Sequence, residues 1–574
     1  SFYDITTLTG TVFNQAPLFS IWSGYEDAVS SNFEDPGAIT VNPKNGTVYM
    51  LAFDSGNPGV YDANADDHDG DYDLYRFNYN AVYNHWVTNG MVSNSMYAPT
   101  SGPDGSLNPQ HPQHVGTTIN LAGASEKIGE LQRNEDTASS EPFFDFAIEY
   151  VNPATMVVLD NQWGRDLTTG EPTGAGFDVP ANDHEIYAFN RVSTTSGGAT
   201  PNYTTQEGGN NAGTTQSWQS AVLGPVASDF DLGGNVVGRS EPVDIAFATR
   251  DGVQGVWVIE SDGGGDDVRF FEITDFNGGP GNGFRELAID PTNTDHPTTT
   301  ALDDDPTVST TTNDGSADWI RVDKDGNVMI GESGFFNVPQ GEPKIVTREI
   351  LDYDQADTDA SGFNEIDPGA WGVLAALAPT LDDDGAVTDG RFVAYDRANN
   401  RVYWFDIDSG GQPDVVADVY VQDLTTGAIV YEELNAVNHF LERQGIEIFL
   451  RGDLNGDGSV DLNDIDPYSA DIRDGIALLD QEDTDLTGDW VLSAADLAEI
   501  VEGIVGTKLG DFNLDGEVNA LDLSTLAGNW QGTGLVYSQG DVNADGVVNA
   551  LDLSTLAGNW QFSASGGGVN FAEA

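Results

Sequence analysis

The chain has no cysteine among its 574 residues. That excludes disulfide staples, thiolate metal sites and cysteine nucleophiles together. Positive charge is nearly as scarce. Lys and Arg number 21 against 94 Asp and Glu, a formal net charge of −73, and the lysines are Lys44, Lys127, Lys324, Lys344 and Lys508 alone. Such a surface repels phosphate, so nucleic acid is excluded as a partner, anionic membranes are disfavoured, and cations are invited. No apolar run approaches the roughly 18 residues a bilayer span needs, so membrane insertion is excluded as well.

What is present is a globular, loop-rich composition, with 67 Gly, 39% apolar and 10% aromatic residues. The length suits about three to four domains. The opening Ser1-Phe2-Tyr3-Asp4-Ile5 lacks a basic-plus-apolar leader and reads as the start of a processed, secreted chain. An extracellular or cell-surface location is expected. A halophile's cytosol would favour the same acidity.

Up to about residue 450, apolar runs alternate with Gly/Asn/Asp turns. Hairpins are expected at Ala38–Val41 with Thr47–Phe53, Phe144–Tyr150 with Met156–Leu159, Asp244–Ala248 with Gly255–Ile259, Trp319–Val322 with Asn327–Ile330, and Arg391–Tyr395 with Arg401–Ile407. Their spacing is roughly 75 to 105 residues, long for a blade, with the excess in polar stretches such as 192–217. Ser140-Glu141-Pro142 recurs as Ser240-Glu241-Pro242, each before an apolar strand, and Phe33-Glu34-Asp35-Pro36 is a looser copy. Trp257-Val-Ile-Glu260-Ser261 echoes Met329-Ile-Gly-Glu332-Ser333. Repetition of this kind resembles an irregular β-propeller of about five to seven blades, with a β-sandwich array as the alternative. Only 369–378 and 436–444 read as short helices, and Phe2–Phe13 reads as a strand that completes a blade of its own chain or of a neighbour.

From residue 452 the pattern changes to an acidic loop followed by an amphipathic stretch, four times over. Asp511, Asn513, Asp515, Asn519 and Asp522 put oxygens at positions 1, 3, 5, 9 and 12 of a calcium loop, with Gly516 at 6 and the Glu517 carbonyl at 7. Asp541, Asn543, Asp545, Val547, Asn549 and Asp552 repeat it. An earlier copy is Asp453, Asn455, Asp457, Ser459, Asp461 and Asp464. A degenerate copy has Asp485, Thr487, Asp489, Ser493 and Asp496, with Trp490 in place of the glycine. Calcium requires about six to eight oxygens, which an alternating Asp/Asn loop supplies, and its binding is expected to be coupled to folding. The string at 518–531 is identical to that at 548–561.

These loops resemble type I dockerin repeats, which end in Asp where an EF-hand ends in Glu. The resemblance implies paired loop–helix units tied by Ca2+ and docking onto a cohesin-like module. It also makes the two residues before the last Asp partner-selective, here Ala520-Leu521 and Ala550-Leu551, while Trp530 and Trp560 stand where many members carry basic residues. Such a face suits a module packed on another protein or on its own propeller.

The fold expected is therefore mainly β: a propeller-like domain over 1–450, a first dockerin-like pair over 452–508, a second over 509–561, and a Gly-rich tail over 562–574. Further cation sites are expected at Asp62, Asn64, Asp66 and Asp73, and at Asp357 and Asp359. Asn45 and Asn202 begin glycan-acceptor triplets. Glu34, Glu141 and Glu241, each before a blade-like strand, are candidate ligands of a water-activating metal. The Glu-x-Pro entry resembles gluconolactonase-type and propeller-phosphatase families. Two functions follow. The first is a secreted structural or interaction protein, a self-assembling building block of a surface layer, matrix or filament. The alternative is a metal-dependent hydrolase, phosphatase- or lactonase-like, held in a larger complex by its repeats.

Overall fold

The computed structural model describes residues 2–5, 8–13, 17–21, 35–53, 72–98, 118–121, 124–131, 147–161, 184–191, 218–225, 241–250, 253–261, 266–277, 284–287, 300–301, 316–322, 328–333, 344–348, 353–358, 364–366, 372–376, 392–408, 416–436, 447–476, 484–489 and 491–564. Each predicted hairpin opens one antiparallel sheet. The first sheet runs Asp35–Val41, Val48–Phe53, Tyr72–Phe77, Ser125–Leu131, and the second Ala147–Asn152, Thr155–Asn161, His184–Arg191, Trp218–Pro225. The third runs Glu241–Arg250, Val253–Ser261, Asp266–Glu272, Arg285–Leu287, with Thr300–Ala301 added beside Asp266–Glu272. The fourth runs Ser316–Val322, Val328–Ser333, Lys344–Arg348, Gly372–Ala376, and the fifth Phe392–Asp396, Arg401–Asp408, Val416–Asp423, Ile429–Ala436.

The first strands of successive sheets touch one another in chain order, and the sheets pack face to face. Leu51 and Leu74 of the first meet Ile148, Met156, Val158 and Phe189 of the second. Val157 and Ile186 of the second meet Ile245, Val256 and Val258 of the third. Trp319 and Met329 of the fourth meet Val402, Trp404 and Tyr420 of the fifth. This is the bladed layout of a propeller, each blade burying the apolar side of its strands on the next. The Trp257 and Met329 echoes occupy the second strands of the third and fourth blades.

Three local expectations are corrected. Residues 372–376 are the fourth strand of a blade, paired with Lys344–Arg348, because sheet pairing outweighs the helix propensity of Leu and Ala. The described parts of Phe2–Phe13, residues 2–5 and 8–13, form a strap. Among these Phe2 bridges to Phe19, while Tyr3, Ile5, Leu8 and Phe13 cover Tyr403, Val419 and Tyr431 of the fifth blade. The main-chain N–H of Phe13 donates to Glu433 at 2.8 Å and that of Val12 to the Tyr431 hydroxyl at 2.8 Å. Finally, an unexpected helix, α1 (Tyr79–Thr88), starts at an Asn78 cap and buries Tyr79, Val82 and Trp86 on one face. Of the other helix expected at 436–444, Ala436 closes the last strand and the rest lies outside the described residues.

The C-terminal loops lead into α2 (Leu462–Asp474), α3 (Ala494–Ala498, continued by a π-helical turn Glu499–Ile504), α4 (Ala520–Gly528) and α5 (Ala550–Gly558). All four units share one core, in which Ile465, Tyr468, Leu497 and Val501 pack with Phe512, Leu526, Tyr537, Val548 and Leu556.

Candidate functional site

Each acidic loop ends by starting a helix. The position-9 residue (Asp461, Ser493, Asn519, Asn549) is the N-cap, and the position-12 Asp is the third helical residue, closing a reciprocal capping box. The short Asp side chain at position 12 therefore stays folded back over its own loop. Asp464 accepts from the N–H of Leu454 at 2.9 Å and of Asp461 at 2.9 Å. Asp522 accepts from Phe512 at 2.8 Å and Asn519 at 2.9 Å, and Asp552 from Val542 at 3.0 Å and Asn549 at 2.8 Å. The position-1 carboxylates turn inward in the same way. Asp453, Asp511 and Asp541 accept from the position-6 glycine N–H at 2.8, 2.8 and 2.7 Å. Those glycines have φ of +86°, +83° and +79°, a backbone that L side chains rarely adopt.

The degenerate loop keeps the geometry of the last Asp, Asp496 accepting from Leu486 at 3.1 Å and Ser493 at 2.8 Å, while its first, Asp485, accepts from the position-4 Gly488 N–H at 2.7 Å. Trp490 lies outside the described residues. At the rim, the Asn at position 3 donates to the Asp at position 5 in three loops: Asn455 to Asp457, Asn513 to Asp515 and Asn543 to Asp545, at 3.0, 2.9 and 3.0 Å.

The first and last Asp of all four loops are buried. Burial pushes the carboxyls of Asp453, Asp511 and Asp541 up, and that of Asp464 up to about 6, against the pull of the N–H donors. A buried carboxylate pair with no cationic side chain of its own loop favours a bound cation. The donor set is entirely oxygen, as a hard cation requires. Among the described residues no three acidic or His side chains already converge into a cage, so the Asn amides and main-chain carbonyls are needed to complete one.

The last two units interlock. The glycine before each of their loops lies against the other unit's helix. A Cβ on Gly510 would stand 3.1 Å from Leu556 Cα, and one on Gly540 3.1 Å from Leu526 Cα. Gln531 N–H donates to Val548 and Gln561 N–H to Val518. The identical strings consequently present the same face twice, with Leu521 63%, Leu551 62%, Trp530 43% and Trp560 41% exposed.

This duplicated, capped loop–helix pair matches a known family model. Residues 509–559 match the dockerin type I domain. Dockerin domains of this type bind calcium and a protein partner, so the Ca2+ expectation and the protein-partner expectation stand in that general form.

No curated protein sequence matches the chain. Solved structures similar to it include polysaccharide lyase Uly1 (13% identity, 77% of this chain and 78% of that one, TM-score 0.32). Others are an alpha-L-arabinofuranosidase of Clostridium thermocellum (10%, 70% and 94%, TM-score 0.30) and an alpha-L-arabinanase mutant of Cellvibrio cellulosa (10%, 72% and 98%, TM-score 0.28). At these TM-scores the likeness carries no argument about fold or substrate. The expectation of a structural building block is corrected here. The matched module is a dockerin, and neither filament nor self-assembly is supported.

The remaining sequence candidates divide sharply. Asp62, Asn64, Asp66, Asp359, Glu34 and Glu141 lie outside the described residues, while Asp73, Asp357 and Glu241 lie within strands. Asn45 is corrected as a glycan acceptor: it is 1% exposed and its side chain accepts from Thr47 N–H at 2.9 Å. Asn202 lies outside the described residues.

One constellation carried no motif. Arg321 of the fourth blade bonds Asp244 of the third at 2.7 Å, and Asp244 also accepts from Ile320 N–H at 3.0 Å. Burial and the neighbouring Glu447 push Glu149 of the second blade well up, and burial raises Glu447 to about 7. Four charged groups from separate chain segments thus meet beside the first strands, and no local spacing announces them.

Proposed function

We propose that this protein is an extracellular hydrolase carried on a calcium-dependent docking module. The propeller-like domain (1–450) is the cargo, the pair 452–508 joins it to the dockerin domain, and the pair 509–561 engages a cohesin-type module on another protein. The supporting observation is the twice-presented face of the dockerin domain, capped by Asp522 and Asp552 and bearing exposed Leu521, Leu551, Trp530 and Trp560. Apolar side chains so exposed bind a partner through burial. Calcium would be held in the two loops by Asp511, Asn513, Asp515, the Glu517 carbonyl, Asn519 and Asp522, and by their counterparts Asp541 to Asp552. It supplies the charge that fixes the loop and the helix start. The earlier loops offer Asp453, Asn455, Asp457, Ser459, Asp461 and Asp464, and Asp485, Thr487, Asp489 and Asp496.

The hydrolytic centre is read at the blade entries, where Glu34, Glu141 and Glu241 precede or begin three neighbouring first strands. The test has two parts. Calorimetry against a type I cohesin module, in calcium and in chelator, should show binding only with calcium. Turnover of a panel of polysaccharides, phosphoesters and lactones should disappear in Glu141→Gln, Glu241→Gln. Calcium-independent binding, or turnover untouched by the double substitution, refutes the respective half.

A further inference from the structure

The outer side of the degenerate loop is already occupied by the propeller-like domain. The main-chain carbonyls of its first four residues each accept a side-chain donor from outside the loop. Asn80 Nδ2 donates to Asp485 O at 3.1 Å, Arg451 Nη2 to Leu486 O at 2.5 Å, Asn84 Nδ2 to Thr487 O at 2.9 Å, and Asn78 Nδ2 to Gly488 O at 3.3 Å. Three of these donors are the cap and one side of α1. The contact is too close for any side chain on Gly488, where a Cβ would stand 2.3 Å from Ala81 N at φ +78°. The neighbouring loop is seated likewise. A Cβ on Gly458 would stand 2.8 Å from Ala398 Cα in the turn between the first strands of the fifth blade, and Gly452 N–H donates to Lys44 O at 3.1 Å.

Carbonyls turned outward to asparagines leave the inner face of the loop to its side chains. Asp485 and Asp496 are 2% and 0% exposed, and Asp453 and Asp464 are 6% and 1% exposed. As in the dockerin domain, the last Asp of each loop accepts from the N–H groups at positions 2 and 9 and the first Asp turns inward onto its own loop, yet these two loops lie outside the dockerin match. The carbonyl row of the degenerate loop and the glycine turn of its neighbour are taken up by this chain's own propeller-like domain and the segment that follows it.

We propose that the pair 453–496 is an internal calcium fastener whose docking partner is the chain's own propeller, through the Asn78–Asn84 row of α1 and the Arg397–Ala398 turn. It rests on the calcium reading given above. Calcium inside the loops holds the carbonyl row in register with the asparagines, and so fixes the orientation of the cargo relative to the dockerin domain.

The experiment is hydrogen exchange on the full chain, in millimolar calcium and in excess chelator, with bound calcium counted in parallel. Chelation is expected to raise exchange of α1 amides about tenfold or more. Asp485→Asn with Asp496→Asn should do so in calcium, while Asp511→Asn with Asp541→Asn should leave α1 protected. Asn84→Leu, which touches no carboxylate, should loosen α1 with the calcium count unchanged. Unchanged α1 protection on chelation, with calcium counted in these loops beforehand, overturns the fastener while sparing the calcium reading. A calcium count that ignores the Asp485 and Asp496 substitutions overturns the calcium reading of that loop, and the fastener with it.

Discussion

Replacement of Asn80 by Ala tests how strongly the C-terminal units are tied to the first blade. Asn80 is 1% exposed. Its amide donates to Asn45 O at 2.6 Å and Asp485 O at 3.1 Å, and its carbonyl accepts from Arg451 Nε at 2.5 Å. Two neutral bonds are worth about 1 kcal/mol each and one to a cation about 2 kcal/mol, giving a loss of about 4 kcal/mol in all. Arg451 retains Glu499 at 2.8 Å and the Tyr83 ring at 4.9 Å, so the guanidinium is not stranded and the loss stays near that figure. Asn84→Ala, which removes a bond at 2.9 Å from a less buried position, should cost about 1 kcal/mol. Urea unfolding of both variants in saturating calcium, followed by far-UV circular dichroism, measures the difference. A loss below about 1 kcal/mol for Asn80→Ala, or one equal to that of Asn84→Ala, would refute the reading of Asn80 as the central tie.

Three further outcomes are expected. Gly255→Ala places a Cβ 2.1 Å from Phe271 O and 2.7 Å from the Phe270 ring, so the third blade must shift. A loss of about 2 to 4 kcal/mol should appear in the same unfolding assay, against little change for a surface control. Glu447, raised from 4.5 to about 7 by burial, binds a proton more tightly folded than unfolded. Its contribution to stability is full below about pH 4.5 and is lost as pH rises through about 7, so in excess calcium Tm should be higher at pH 5 than at pH 8, and Glu447→Gln should reduce that difference, Glu149 carrying the rest. Leu521→Ala with Leu551→Ala should leave Tm unchanged, since both side chains are exposed, while weakening cohesin-module binding about tenfold or more by isothermal calorimetry.

The blade hairpins were legible because a turn such as Asn42–Gly46 states its geometry locally: the Asn42 side chain accepts from Lys44 N–H, that of Asn45 from Thr47 N–H, and Gly46 takes φ +76°. The acidic loops were legible for the same reason, every bond of Asp511 or Asp522 described above lying within a few residues of its loop. Helix α1 was not, although Tyr79, Val82, Tyr83 and Trp86 stand at helical spacing, because an aromatic run between two strands also reads as β. Nor was the strand at 372–376, whose only instruction is its partner at 344–348. The Glu149–Asp244–Arg321–Glu447 cluster was invisible altogether. Its members are separated by tens to hundreds of residues and meet only once the blades have closed.

The interlock of the last two units makes the dockerin domain a homodimer written into one chain, with an isologous interface in which each half supplies the same glycine and receives the same helix. A rigid interface of that kind has no half-formed state to offer. An ion that settles the loop beginning at Asp511 also settles Gly510 against the helix of the other half, and Gly540 returns the favour. The two ions should therefore enter together, with a Hill coefficient above one in a calcium titration of the full chain.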